Sequence, residues 1–252
     1  MTHLVNPTNG AIFLLLFGGL SLIGLTMLHR RRDAPLHTRE VTGLQGLERE
    51  IQRAAESASP VHIALGSGGL SSGETITSLA GLQVLEGLVD VAVAYEVPPI
   101  VTVGHPTLLP LAQDVLRRAY ERRGATELYD PNQVRFVAPS PLAYSAGANT
   151  VGAPENTTAS IAAGAYGSDV SLLADSSERR HMAQWAAADS AEAMGALYPA
   201  TDRLAVGEEL YAIGAQVTGK DKYITSLITE DILRFLVVAA ILGAAVLALV
   251  TS

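Results

Sequence analysis

Hydrophobic positions in this chain form two long uninterrupted runs, with shorter ordered patterns between them. Ala11–Leu28 is apolar apart from Ser21, Thr26 and three glycines, and Ile232–Val250 is apolar apart from Arg234. Each run is long enough to cross a hydrocarbon core of ~30 Å as a helix. Between them, Val41, Leu44, Leu47, Ile51, Ala54 and Ala58 recur every three or four residues, with Glu48, Arg49, Glu50 and Arg53 on the other faces. That spacing predicts an amphipathic helix, weakened near its start by Gly43 and Gly46. Its stripe suits either a coiled-coil seam between subunits or, more simply, packing against its own domain.

An alternation of short apolar runs and longer helical stretches follows. Val61–Leu65 reads as a strand, then a glycine-rich loop, then a long apolar helix from about Glu74 to Tyr95. Pro99–Val103 is the second strand. Leu108–Arg123 is a helix, with Thr107 as its expected N-cap and Gly124 as its stop. Val134–Ala138 is the third strand, and Ser140-Pro141 is a cap pair opening another helix. Thr158–Ala163 reads as a fourth strand, Ser168 as the cap of a helix to about Arg180, and His181–Ala187 as a fifth strand. Leu197–Leu204 is the candidate sixth strand and Glu208–Val217 the last helix of the domain. Strands alternating with helices specify an α/β fold with a doubly wound, mostly parallel, Rossmann-like sheet and right-handed crossovers. From Asp221 the helical pattern runs into the second apolar span with no Pro or Gly between. The expected organisation is therefore an N-terminal transmembrane anchor (1–32), an α/β domain (38–220), and a helix continuing into a second transmembrane helix (221–252).

Charge orients this plan. Arg30-Arg31-Arg32 follow the first span and no Lys or Arg precedes it, so the positive-inside rule predicts a cytoplasmic domain and external termini. A cleavable signal peptide fits poorly, because the charges follow the apolar run and no small-x-small site comes after it. The expected location is the inner (cytoplasmic) membrane, crossed twice. Between Thr38 and Asp231 stand 13 Lys and Arg against 24 Asp and Glu, a net charge of −11. Such a body stands off an anionic lipid surface and does not suit nucleic acid, which needs clustered basic residues. The absence of cysteine excludes disulfides, thiolate catalysis and Cys-type metal sites.

Several short segments occur in a characteristic succession: Arg39–Leu44, Ala80-Gly81-Leu82, Ala143–Gly147 and Gly207–Ala212, between an N-terminal anchor and a C-terminal membrane helix. In this the chain resembles a prokaryotic membrane-anchored family, domain of unknown function 6754. The resemblance covers nearly the whole chain and implies the architecture above. It implies no reaction, cofactor or catalytic residue.

The ligand edge of a doubly wound sheet lies beyond the carboxyl ends of its strands. Here that edge gathers Gly66–Gly73, Gly104–Thr107, Pro139–Pro141 and Gly164–Asp169. Gly66, Ser67, Gly68, Gly69 and Ser71, with His105 on the neighbouring loop, are the candidate binding residues, because a glycine-rich turn before a helix can present N–H groups to an anion. The competing account is a turn that lets the long helix pack closely on the sheet. The loop has no Lys and no Gly-Lys-Ser/Thr ending, and Ser71 stands where a dinucleotide fingerprint wants its third glycine. Gly69–Gly73 formally matches a nucleophile elbow, with Ser71, Asp169 or Asp175, and His181 in hydrolase order. Three extra residues between Leu65 and Gly69 spoil the strained turn that an elbow needs.

No catalytic or metal-binding set emerges: His62, His105 and His181 lack ligand spacing. Tyr144 and Tyr166 suit either stacking on a ligand or filling the layer between helix and sheet. Ala239/Gly243 and Ala240/Ala244 place small residues on adjoining stripes of the second span. The expected function is a structural or accessory subunit of a membrane assembly. Its partners are the lipid bilayer and either further copies of itself or other membrane subunits. The alternative is a small-molecule or nucleotide-binding domain, with or without enzymatic activity, using Gly66–Gly73, with its cofactor unspecified.

Overall fold

The computed structural model of the chain describes residues 46–71, 73–152 and 156–218, together with Val237. The chain divides at Arg39/Glu40 and Thr218/Gly219, and the body described is the central part. The first expected membrane span, the helix from Asp221 and all of the second span but Val237 lie outside the described residues.

Among the described residues seven α-helices and six strands alternate: α1 (Leu47–Glu56), β1 (Val61–Gly66), α2 (Thr75–Ala94), β2 (Pro99–Val103), α3 (Leu109–Arg122), β3 (Val134–Phe136), α4 (Pro141–Gly147), β4 (Ala159–Ala165), α5 (Val170–Arg179), β5 (Ala183–Ala188), α6 (Ala191–Leu197), β6 (Arg203–Val206) and α7 (Glu209–Thr218). All neighbouring strands are parallel, in the order β3-β2-β1-β4-β5-β6. This is the doubly wound arrangement, with the order reversing between β1 and β4.

Residues alternate between the two faces of each strand. Val61, Ile63, Leu65, Val101, Val103, Ile161 and Trp185 form one core with α1, α2, α3 and α7. Ala64, Ala162 and Ala186 form another with Tyr144, Tyr166, Leu173 and Leu197, beneath α4, α5 and α6. Leu47, Ile51 and Ala54 are buried, so these residues of the α1 stripe are spent inside the domain and offer no seam to a second chain. Helix α2 is long and apolar enough by composition to cross a membrane, but two-thirds of its most apolar window is buried as the central helix of the core. Gly81 lets it approach β4 so closely that a Cβ there would stand 2.7 Å from the Ala163 carbonyl oxygen.

Four helices end by one device. The amides of Ser59, Val97, Ala125 and Met182 reach back to the carbonyls of Ala54, Ala92, Tyr120 and Ser177. The residue before each amide is left-handed: Ala58, Glu96, Gly124 and His181, at φ 50°, 58°, 67° and 55°. This is the Schellman ending, for which glycine is the usual choice. It corrects the expected start of β5: His181 is the turn residue closing α5, and the strand begins at Ala183.

Other expectations also shift. Thr107 does not cap α3: Leu108 holds the cap position without a side-chain bond, and the Thr107 hydroxyl faces the β1 loop. Ser168 does not cap α5, whose cap position is Asp169. Residues 197–204 are not one strand. Leu197 ends α6, a short helix capped by the Ser190 hydroxyl, and β6 begins at Arg203.

Candidate functional site

The reversal of strand order places the carboxyl ends of β1 and β4 side by side, where this fold class ordinarily opens a crevice. In this chain the crevice is laced shut. Gly66 and Gly164 have positive φ, 81° and 148°, and a Cβ on either would overlap the facing backbone, at Ala165 and Leu65 respectively. The register slips between Ala64 and Gly66, which brings the Ser67 amide onto the Ala165 carbonyl at 3.2 Å. The Gly104 amide donates to the Gly66 carbonyl at 2.9 Å. The Gly66 amide donates to the Tyr144 hydroxyl at 3.2 Å, and the Leu70 amide to the Thr107 hydroxyl at 3.1 Å.

The structure thus brings most of the candidate residues together. Gly66, Gly68 and Gly69 are buried and Ser67 is half-buried. The His105 ring lies against Gly69, where a Cβ would overlap it, and its Nδ1 stands 2.7 Å from the Thr107 hydroxyl. At Gly68 a Cβ would meet Ala165 Cβ at 2.5 Å, Ser78 Oγ at 2.7 Å and Glu74 Oε2 at 3.0 Å. Ser78 Oγ is buried without a hydrogen-bond partner. Three of the amides that could have gripped an anion are bonded within the fold, and a carboxylate stands beside the loop.

Ser71 is exposed beyond the carboxyl end of β1, whereas His181 precedes the amino end of β5, at the opposite edge of the parallel sheet. Asp169 accepts from the Ser145 hydroxyl at 2.5 Å and the Gly167 amide at 3.2 Å, and Asp175 holds Arg179 on the surface of α5. The hydrolase order therefore forms no triad. Among the described residues no group of three or more His, Asp or Glu is placed to hold a metal.

Tyr144 and Tyr166 fill the layer between sheet and helices, their rings 6.3 Å apart and tilted by 42°. The Tyr144 hydroxyl also donates to the Thr102 carbonyl at 3.2 Å, and the Tyr166 hydroxyl to the Ala64 carbonyl at 2.8 Å. Burial raises the pKa of both phenols, which keeps them as hydrogen-bonding groups at neutral pH. His62 lies in the same layer. Its Nε2 is 2.9 Å from the Thr102 hydroxyl and its Nδ1 3.4 Å from that of Ser160. Burial lowers its pKa to about 4, so it is neutral and structural.

One polar cluster at this edge escapes sequence reasoning. The Asp189 carboxylate, just past β5, accepts from the Thr77 hydroxyl at 2.5 Å and from the Tyr211 hydroxyl at 2.9 Å. It joins the first turns of α2 and α7 across the end of the sheet. The signal was Asp189-Ser190 between a strand and the helix capped by Ser190, which misplacing the sixth strand hid.

The chain belongs to the family described as domain of unknown function 6754, whose profile matches residues 2–252. No curated protein and no solved structure matches it.

Proposed function

We propose that this protein is a structural or accessory subunit of a membrane assembly. It is anchored by apolar helices at Ala11–Leu28 and Ile232–Val250, with its α/β domain in the cytoplasm, and it associates with copies of itself. One observation in the domain carries the reading: the crevice at the β1/β4 reversal is filled by the protein's own backbone, through Gly66, Gly164, the Ser67 and Gly104 amides and the Tyr144 hydroxyl. A sheet that spends its ligand edge on internal bonds is built to hold shape. The arginine collar and the Ala239/Gly243 and Ala240/Ala244 stripes support membrane residence and helix contacts. The α1 residues Leu47, Ile51 and Ala54 are already buried, which leaves self-association to the membrane helices and to the domain surface.

The mass of the particle after gentle detergent extraction, by light scattering with detergent subtracted, tests this. More than one chain per particle, falling on Gly243→Leu with the domain still folded, is the expected result. A particle of single-chain mass carrying no other subunit overturns it. A reporter fused after Ser252 checks the topology and should be active only in its external form.

A binding role for Gly66–Gly73 is the second reading, and the buried, unpartnered Ser78 hydroxyl beneath Gly68 favours it. Substitution of Gly68 or Gly69 cannot test it cleanly, because either side chain would strike Ala165 or the His105 ring. The discriminating measurement is a thermal-shift panel of phosphate compounds on the wild-type protein: a specific stabiliser supports binding, and a flat panel removes this reading.

A further inference from the structure

One row across the sheet interrupts the alanines of the α4–α6 face. His62 on β1 stands in register with Ser160 on β4, and Ser160 with Gln184 on β5. Register partners share a face of the sheet, so these polar side chains lie side by side, and each is buried. The row sits near the amino ends of the strands, away from the glycine loop. A cavity with room for about one water adjoins it. Ser160, Ser177, Gln184 and Thr201 supply its polar lining. The Ser177 and Thr201 hydroxyls donate to the Leu173 and Leu197 carbonyls, each at 2.9 Å. Gln184 is only 7% exposed, yet its carboxamide bonds to no described residue. A group so placed costs stability until a ligand or water bonds it.

The bonds beyond the row fix where each proton lies. The Tyr144 hydroxyl accepts from the Gly66 amide and gives its own proton to the Thr102 carbonyl. Its 3.1 Å contact with the Thr102 hydroxyl is therefore donated by Thr102. With that proton spent, the 2.9 Å contact between Thr102 Oγ1 and His62 Nε2 is donated by the ring. Burial keeps His62 neutral, and a neutral imidazole carries one N–H. Nδ1 is then the acceptor, and the Ser160 hydroxyl 3.4 Å away is its donor. Ser160 Oγ has only lone pairs left to offer the cavity.

We propose that the cavity binds one ordered water, which donates to Ser160 Oγ and bonds the Gln184 carboxamide. This water anchors a directed chain through Ser160, His62, Thr102 and Tyr144 to the Gly66 amide, where the β1/β4 crevice is closed. No charged side chain lines the cavity, which suits a small neutral ligand able both to donate and to accept. Ser160 acts as a positioning residue: it sets the His62 tautomer, and the tautomer sets the direction of the Tyr144 bonds. The rival arrangement puts the ring proton on Nδ1 and sends the Tyr144 proton to Thr102 Oγ1. Its acceptor would be Asn149, buried near the ring with Oδ1 unpartnered.

Solid-state NMR of the full-length protein in lipid bilayers tests this, with histidine, glutamine and asparagine side-chain nitrogens assigned through the backbone. At neutral pH the expected state of His62 is a protonated Nε2 and a bare Nδ1. Polarisation started on water should reach the Gln184 carboxamide and not that of Asn149, whose amide is held in the same layer by Leu173 and Ser177. Ser160→Ala, which removes the donor to Nδ1, should shift the Nδ1 resonance of His62 and leave that of His181 in place. A proton on Nδ1 in the wild type, a Gln184 carboxamide as dark to water as that of Asn149, or a His62 signal indifferent to Ser160→Ala would overturn the proposal. The first two measurements need no substitution, so they decide the matter even where Ser160→Ala does not fold.

Discussion

The two faces of the sheet are cores of different kinds. Under α1, α2, α3 and α7 the strands present Val61, Ile63, Leu65, Val101, Val103 and Ile161, and branched side chains fill the space unaided. Under α4, α5 and α6 the same strands present alanines, His62, Thr102 and Ser160, and hydroxyl and amide groups from the helices complete the packing. Asn149 donates to the Leu173 carbonyl at 3.0 Å and to the Ser177 hydroxyl at 2.7 Å, while Tyr144 and Tyr166 reach down to the strands. An apolar layer is held by area and tolerates rearrangement. A polar layer buried in the same way depends on each bond being made, since an unpaired group there costs more than a good pair contributes.

The contrast can be broken from the apolar side first. Leu85→Ala removes a fully buried side chain of α2 and should lower unfolding free energy by about 2–5 kcal/mol in a denaturant titration, through lost transfer energy and a cavity. The polar side should answer to pH as the apolar side does not. Because the folded-state pKa of His62 is lowered to about 4 from 6.5, the folded protein binds fewer protons than the unfolded chain between those values. Its contribution is complete above about pH 6.5 and is lost as pH falls towards 4. The loss should approach roughly 3 kcal/mol by linkage, and His62→Gln should flatten the slope of stability against pH in that window.

A single bond comes next. Tyr144→Phe keeps the ring but withdraws the hydroxyl from the Gly66 amide and the Thr102 carbonyl, and should cost about 1–3 kcal/mol, read from the unfolding midpoint. A comparable loss on this substitution and on Leu85→Ala would show the two layers to be more alike than their composition suggests. The smallest effect is a gain. Ala58→Gly at the left-handed end of α1 should raise stability by about 0.5–1 kcal/mol, because a Cβ is disfavoured in that conformation. Gly124, already glycine in the same motif, is the internal reference.

The apolar layer was also the legible one. Val61–Leu65 and Pro99–Val103 were recognisable as strands, and Glu74–Tyr95 as a helix, because continuous apolar runs report burial on both faces. The α4–α6 side was harder to read. Alanine-rich strands resemble helices, so the pattern does not separate α6 from its neighbours and places the sixth strand too early. Ser168 and Thr107 match the composition of caps, yet Ser168 lies one residue before the cap position, and the Thr107 hydroxyl is taken by the Leu70 amide and the His105 ring. At the candidate site the glycines and His105 lie at one edge of the sheet, but their environment is not readable from the sequence. A glycine that opens a cradle and a glycine that lets two strands interlock are the same letter.

What the sequence by itself determined is the alternation of elements, the parallel sheet this alternation requires, and the charge and hydropathy that set the apolar spans apart from the domain. These follow from local periodicity and chain connectivity, which act within about thirty residues, the length of a strand–helix–strand unit. Only the tertiary structure decided that the β1/β4 crevice is shut, that α1 is spent inside its own domain, and that Asp189 ties Thr77 to Tyr211. Each of these joins residues remote in the chain, such as Gly66 with Ala165 and Thr77 with Tyr211. Distances of that kind are fixed by how the sheet and its helices pack, and no spacing in the sequence encodes them.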